Sequence, residues 1–409
     1  MNVQEIYKQK KMSAEEAVKM IKNGVEVWCG IAVPVPMALV NALVDREPEV
    51  EEITINHIVD IHPKLKWYNQ NRESNIQVDC GYPSSCRAKV VSGDFTMTPN
   101  RFCELPKIYT DENFRPMHVA MLMVTPMDKH GYCCLGLGAD ATLPIALNAA
   151  RKRRDGDYRY MVLAQVNSQV PRSRGVNYIH ISEIDAIVEQ EQDLAVLPET
   201  TEMSSEEMII GRYCADFVKD GSTIQLGIGS IPNAVAKAFL ETRVKDLGIH
   251  SEMACDTMRD LWEAGIVTNR KKTFMPNRSI FTFAMGTRSL YDWIDDNPGV
   301  EFYPVDFVNN PHNIGKNDHL VSINACLQVD LTGQICSESM GWQQYTHPGG
   351  QLDFVDGAFQ SWGGVSIIAM EAVARPRSNN GQAISKIVPN ITPGGIITPP
   401  WSCADYVIT

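Results

Sequence analysis

The chain has 409 residues, 44% of them apolar and 21% charged, with a formal net charge of −12. That length exceeds one ordinary domain, so two or three are expected, each with a sizeable core. The acidic balance argues against nucleic acid or an anionic membrane surface as a partner, and no apolar run reaches the ~20 residues of a bilayer span.

The N-terminal MNVQEIYKQKKMSAEEA lacks the apolar heart of a signal peptide, so a cytoplasmic location is expected. Eleven cysteines (Cys29, Cys80, Cys86, Cys103, Cys133, Cys134, Cys214, Cys255, Cys326, Cys336 and Cys403) carry neither CxxC nor Cys/His zinc spacing. An odd number set mostly in apolar runs reads as free buried thiols in a reducing compartment, with no metal site.

In chain order, Ser13 to Glu16 is a capping box opening a helix through Ile21. Val25–Cys29 reads as a buried strand, and a glycine-containing loop (Gly30 to Pro36) leads to a helix over Met37–Val44. Ile53–Ile58 is the next strand. Residues 63–101 show no sustained period; within them, Arg87 of Pro83-Ser84-Ser85-Cys86-Arg87 has the planar fork that suits a carboxylate, or serves as a structural ion-pair partner.

Val119–Val124 is a strongly apolar strand, followed by the turn Thr125 to Gly131, whose Asp128 and His130 need no chemistry to explain them. Tyr132–Leu137 continues as β structure. A helix near Leu143–Ala150 is followed by the basic run Arg151 to Arg159, whose five basic residues within nine could meet an acidic substrate or phosphates, though a solvated loop is the commoner reading. Met161–Val166 is another buried strand. The polar, acidic stretch from Gln190 to Glu202 is the best linker, dividing the chain into domains at 1–190 and 203–409.

A helix over Ser205–Lys219 leads to the stretch that carries most of the chemistry, Asp220 to Asp256. Thr223–Leu226 is a short strand and Gly227-Ile228-Gly229 a turn. Ser230, Ile231 and Pro232 open a helix, with proline near its first turn where no donor is needed. Gly248–His250 is a second short strand delivering Ser251-Glu252-Met253. Glycines at a strand-to-helix turn let a ligand approach backbone amides, and a helix N-terminus favours anions. On residue chemistry alone, a plain tight turn and a solvated glutamate are the commoner reading. Pro232 stands where a GxGxxG fingerprint needs its third glycine, which weakens a dinucleotide-dependent oxidoreductase on a Rossmann sheet.

Asp256–Ala264 reads as a helix, Ile280–Met285 as a strand, Leu290–Asp295 as a helix and Val321–Val329 as a strand. Val365–Met370 is a further strand, and Lys386 to Val388 with Gly395 to Ile397 read as late β structure. Alternating strands and helices in both halves imply an α/β chain with two open, mostly parallel sheets.

The words QLGIGSIPNAV and LGIHSEM, at this separation, resemble family I coenzyme A transferases of the acetyl-CoA hydrolase/transferase type, closest to the 4-hydroxybutyrate CoA-transferase branch. TPMDKHGYCCLGLGADAT (125–142), QVNSQVPRSRGVNYIHISEIDAIVE (165–189), FAMGTRSLY (283–291), SINACLQVDLTGQ (322–334) and GGQLDFVDGA (349–358) match in the same order.

The resemblance implies two tandem α/β domains of the CoA-transferase type with the active site between them. It makes Glu252 the nucleophile and assigns coenzyme A to Gln225, Gly227, Ile228, Gly229, Ser230, Ile231, Leu327, Gly349 and Gly350. Val33 and Arg87 are its substrate candidates. Coenzyme A is then a co-substrate, with no permanently bound cofactor, and acyl-CoA and short-chain carboxylates are the partners of a homo-oligomer, dimer or tetramer. Members of the family continue past the position of Thr409 with a helical tail. Three departures alter the implied pocket: Val35-Pro36 for Glu-Pro, His347-Pro348 for smaller residues, and Met370-Glu371 for Met-Pro. The acids used stay open between acetate, butyrate, 4-hydroxybutyrate and dicarboxylates such as itaconate or succinate. Transferase and hydrolase both need Glu252.

Overall fold

The structure is a computed structural model and describes residues 2–83, 85–198, 203–242, 244–375 and 380–409. Ser84 and the 199–202 part of the expected linker lie outside the described residues. Two compact units emerge: residues 1–100, 104–197 and 282–306 form the first, and 101–103, 198–281 and 307–409 the second.

The first unit is a six-stranded parallel sheet: β1 (Glu26–Ile31), β2 (Ile53–Ile58), β3 (Ile76–Cys80), β4 (Val119–Val124), β5 (Met161–Val166) and β6 (Ala186–Glu189), in the spatial order 3-2-1-4-5-6. This is a doubly wound order, and it fixes no function by itself. Every residue of β4 and β5 is buried, as central parallel strands covered on both faces require. Helix α1 (Met37–Asp45) starts at Pro36, where proline's missing donor costs nothing, and buries Leu39, Val40 and Leu43 against the sheet core. A second helix, α2 (Arg87–Ser92), follows β3, and α3 spans Thr142–Arg154. Trp28, fully buried on β1, donates its indole N–H to Thr142 Oγ1 at 2.9 Å and so ties α3 to the sheet.

The second unit is a five-stranded parallel sheet of β7 (Thr223–Leu226), β8 (Gly248–Ile249), β9 (Leu320–Asn324), β10 (Val365–Ala369) and β11 (Tyr406–Ile408), in the order 8-7-9-10-11. Around it lie α4 (Ser205–Ala215), α5 (Ser230–Thr242) and α6 (Gln351–Gln360). Ser204 and Glu207 close a capping box on α4, each accepting the other's backbone N–H. Among the described residues no helix is long and apolar enough to cross a membrane.

Several expectations need correction. The 203–409 span is not one contiguous unit, because 282–306 clusters with the first. The reason is backbone pairing: Ala284 N–H donates to Leu137 O at 2.8 Å, Ala139 N–H to Thr282 O at 3.0 Å, and Val300–Phe302 runs parallel to Arg174–Gly175. The strand expected over Val321–Val329 breaks after Asn324 and resumes as Gln328–Asp330, which turns back on Ile335–Cys336. Polar Asn324 ends it, its amide spent on Ser322 and Gln225. The Ile280–Met285 strand is two short pieces, and Gly395 to Ile397 is not a strand.

The basic run is not a solvated loop throughout: α3 continues to Arg154. Lys152 meets Glu112 at 2.5 Å, Arg153 meets Asp185 at 2.5 Å, Arg154 pairs with Glu183, and Arg159 meets Asp157 at 2.7 Å. The Asp128 carboxylate accepts the His130 and Tyr132 amides, as a turn-forming aspartate does.

Candidate active site

The parallel ladder of the second unit sets up the site. β8 is two residues long, and its continuation is held on both sides: His250 N–H reaches Ile224 O at 3.3 Å, and Ser251 N–H reaches Ile280 O at 3.0 Å. Ser251 Oγ donates to Leu226 O at 3.2 Å. The backbone entering Glu252 is therefore fixed from several directions.

His250 sets a third wall. It is fully buried, its Nε2–H donates to Val308 O at 2.8 Å, and its Nδ1 accepts from the Asn317 amide at 3.2 Å. Burial, with the Lys272 charge, pushes its pKa down to about 3, so the ring is neutral and works as a brace. The residue after Val308 is Asn309, whose Nδ2 donates to Glu252 Oε2 at 2.8 Å and to Asp353 Oδ2 at 3.3 Å. One amide thus bridges two carboxyl groups, using both of its N–H bonds.

Gly350 caps α6 and donates its backbone N–H to the Glu252 carboxylate. Asp353, fully buried in the first turn of that helix, is held by Arg101 Nε at 2.9 Å and by the Cys103 backbone N–H at 3.1 Å, and Arg101 also reaches Asp356 at 2.8 Å. Glu252 itself is half-buried as a residue. Burial of its carboxyl, first, and the charge of Asp353 push its pKa up to about 8, against the pull of Asn309 and the Gly350 amide. A carboxylate this basic, aimed by two N–H donors, is a competent nucleophile once ionised.

Of the sequence-predicted residues, the structure brings Glu252 and Gly350 into contact. Gly349, with φ +56°, precedes Gly350 in a left-handed conformation that suits glycine. Gly227, Ile228 and Gly229 form the turn between β7 and α5, where Gly229 has φ +122° and a side chain on either glycine would meet open space. Ile228 is exposed. Ser230 Oγ donates to Glu207 across to α4, and Ile231 lies in the first turn of α5.

Gln225 is buried, its Oε1 accepting from Ser322 Oγ at 3.0 Å and Asn324 Nδ2 at 3.2 Å, so its side chain is already committed within the sheet. Leu327 is half-buried, its N–H on Cys336 O. Val33 and Arg87 belong to the first unit. The Val33 side chain is fully buried and its carbonyl faces His62 Nε2 at 3.1 Å, whereas Arg87, at the start of α2, is half-buried.

Sequence reasoning missed Asn309, Asp353 and Arg101. Asp353 sits inside the matched stretch GGQLDFVDGA, four residues from Gly349, and an acidic residue in the first turn of a helix could have flagged it. Nothing local marks Asn309 or Arg101. A cavity of ≈ 550 Å³ in the first unit, lined by Lys107, Thr110, Asn148, Arg151 and others, contains none of these residues.

The second unit thus presents a half-buried glutamate at a strand exit, held by a side-chain amide and a backbone amide, a group able to take part in acyl transfer. The acetyl-CoA hydrolase/transferase N-terminal domain model matches residues 1–198 and the C-terminal domain model residues 286–409. The chain belongs to this family. It is 41% identical to a 4-hydroxybutyrate coenzyme A transferase of Clostridium kluyveri, over 100% of this chain and 91% of that protein. It is 42% identical to a succinyl-CoA:cyclohexane-1-carboxylate CoA transferase of Geobacter metallireducens, over 98% of this chain and 87% of that one. The crystal structure of RipA from Yersinia pestis superposes with a TM-score of 0.88 at 34% identity, covering 100% of this chain and 91% of that chain.

Proposed function

We propose that this enzyme moves coenzyme A between a short-chain acyl-CoA and a free carboxylate through a covalent intermediate on Glu252. The observation that carries it is the Glu252 carboxyl, its pKa pushed up to about 8 by burial, held by Asn309 Nδ2 at 2.8 Å and also by the Gly350 amide. In the first step a Glu252 oxygen bonds to the thioester carbon of the donor and the C–S bond breaks. An acyl-glutamyl anhydride forms and CoA thiolate leaves. The thiolate then adds to the glutamyl carbon of the anhydride, the C–O bond breaks, and the donor acid departs. What remains is a glutamyl-CoA thioester. An acceptor carboxylate runs the two steps in reverse, giving ping-pong kinetics. Each addition puts negative charge on an oxygen near Glu252, where the Gly350 N–H and the Asn309 amide are preorganised donors; losing one such donor typically costs ~10²–10³ in rate.

The family resemblance assigns coenzyme A to the turn Gly227 to Ile231 and makes Arg87 a candidate for a substrate carboxylate, and both assignments are part of this proposal. A 4-hydroxybutyrate- or butyrate-type acid is the first acceptor to try, because of the clostridial relative. Succinate and a cyclic carboxylate come next, because of the Geobacter one.

The test is intact mass after mixing with butyryl-CoA or succinyl-CoA and then borohydride, which reduces a glutamyl thioester to the alcohol. A small mass loss mapped to Glu252, absent in Glu252→Ala, is expected, with discharge of the adduct only when an acceptor acid is added. Discharge by water alone would make the enzyme a hydrolase. An unmodified chain with every acyl-CoA would overturn the covalent route.

A further inference from the structure

In the first unit, β2 and β3 lie side by side in parallel, and their register pairs His57 with Cys80. Cys86 comes back onto this pair from the start of α2, its Sγ 3.7 Å from His57 Nε2. Among the described residues, His57, Cys80 and Cys86 are the group whose ligand atoms all lie within 4.8 Å of one another. All three are closed off from solvent, at 1%, 0% and 0% exposure.

We propose that His57, Cys80 and Cys86 bind a thiophilic divalent cation, zinc by choice, as a structural site that pins the start of α2 to β2 and β3. In a tetrahedral zinc site with Zn–S of ~2.3 Å and Zn–N of ~2.0 Å, sulfur and nitrogen stand ~3.6 Å apart. The observed 3.7 Å between Cys86 Sγ and His57 Nε2, a sulfur hydrogen bond in the metal-free protein, is close to that spacing.

Two further observations bear on the cluster. The His57 ring is stacked on Trp67 at 4.2 Å, which fixes its plane, as outer contacts fix metal-bound imidazoles. Buried Asp60 borders the cluster, its Oδ2 3.9 Å from Cys86 Sγ and accepting from Trp67 Nε1 at 3.1 Å and from Tyr68 Oη. Binding would displace the protons of both thiols and take His57 neutral. The site would also fix the first turn of the helix that begins with Arg87.

The test uses the full chain, freed of metal by a chelator under reducing conditions and titrated with Co²⁺. Thiolate-to-cobalt charge transfer in the near ultraviolet and strong visible bands of a tetrahedral ion are expected, saturating at one ion per chain and erased by equimolar Zn²⁺. Cys80→Ser and Cys86→Ser should each lose most of the charge-transfer intensity, and the control Cys214→Ser should keep it. So that the result does not depend on how well a ligand variant folds, the unmutated chain carries its own readout: micromolar Zn²⁺ should raise its Tm by about 3 °C or more, and Mg²⁺ should not. Weak octahedral absorption only, bands that survive Cys86→Ser, a Tm indifferent to Zn²⁺, or a Cys80–Cys86 disulfide in peptide mapping of the unmutated chain would each overturn the site.

Discussion

Gly350 stands so close to Glu252 that a β-carbon built on it would lie 1.8 Å from Glu252 Oε2 and 2.5 Å from Asn309 Nδ2. The backbone there has φ −87°, open to any residue, so it is space and not conformation that demands glycine. Gly350→Ala should therefore displace the carboxylate while leaving the chain folded. Misplacement of a reacting group by about 1 Å costs ~10²-fold in rate. A fall of that size in kcat with Tm changed by less than a few degrees is the expected result; unchanged kcat would mean Glu252 moves freely and is not held for chemistry.

The elevated Glu252 pKa predicts a pH profile. The nucleophile must be ionised, so kcat/KM for the acyl-CoA should climb with pH and level off above about 8. Asp353 raises that value by its charge, so Asp353→Asn should slide the ascending limb to lower pH. A limb that stays in place, or moves up, would detach Asp353 from Glu252.

The same shift carries a stability consequence of opposite sense. A carboxyl whose folded pKa is above its unfolded value near 4.5 costs nothing below that pH and increasingly destabilises the fold as pH rises towards about 8. Glu252→Gln removes the charge. It should abolish transfer by ~10³-fold or more, and at pH 8.5 it should be more stable than the parent, on the order of 2 kcal/mol, with the gap closing by pH 4.5. Denaturant melts at both pH values decide this.

Asn309 donates to both carboxyl groups, and hydrogen bonds to charged groups contribute about 1.5–3 kcal/mol each. Asn309→Ala should cost ~10- to 100-fold in kcat and move the pH limb upward, because a group that lowers the Glu252 pKa is lost. His250 acts through Asn309 by holding the carbonyl of Val308. His250→Leu should therefore lower kcat with little change in KM for acyl-CoA, whereas a purely structural role would lower Tm alone.

Much of this architecture could be read from the residues, and the failures have a common cause. Val119–Val124 and Met161–Val166 were fully legible because central parallel strands are continuous apolar runs. Ile76–Cys80 was hidden in a polar region, since its sequence IQVDC alternates and is too short to stand out. Glu252 and Gly350 were found through sequence words, but their contact is 98 residues apart in the chain and belongs to topology. Asn309 and Arg101 arrive by the same long route. The His57, Cys80 and Cys86 cluster has no zinc-like spacing because two of its members meet through strand register, and a register leaves no local trace.

The segment Thr282–Asp306 completes the first unit from far down the chain. During synthesis, residues 1–197 emerge with the backbone of Leu137–Ala139 and Arg174–Gly175 still waiting for partners that have not been made. At ordinary elongation rates that wait lasts ~10 s. A ribosome carrying this chain holds an unfinished sheet with open hydrogen-bonding groups for that interval, and a chaperone has a defined window in which to bind it. Cutting the gene at the linker would make the interval permanent, so residues 1–197 expressed alone should aggregate, and adding back 282–306 in cis should restore solubility.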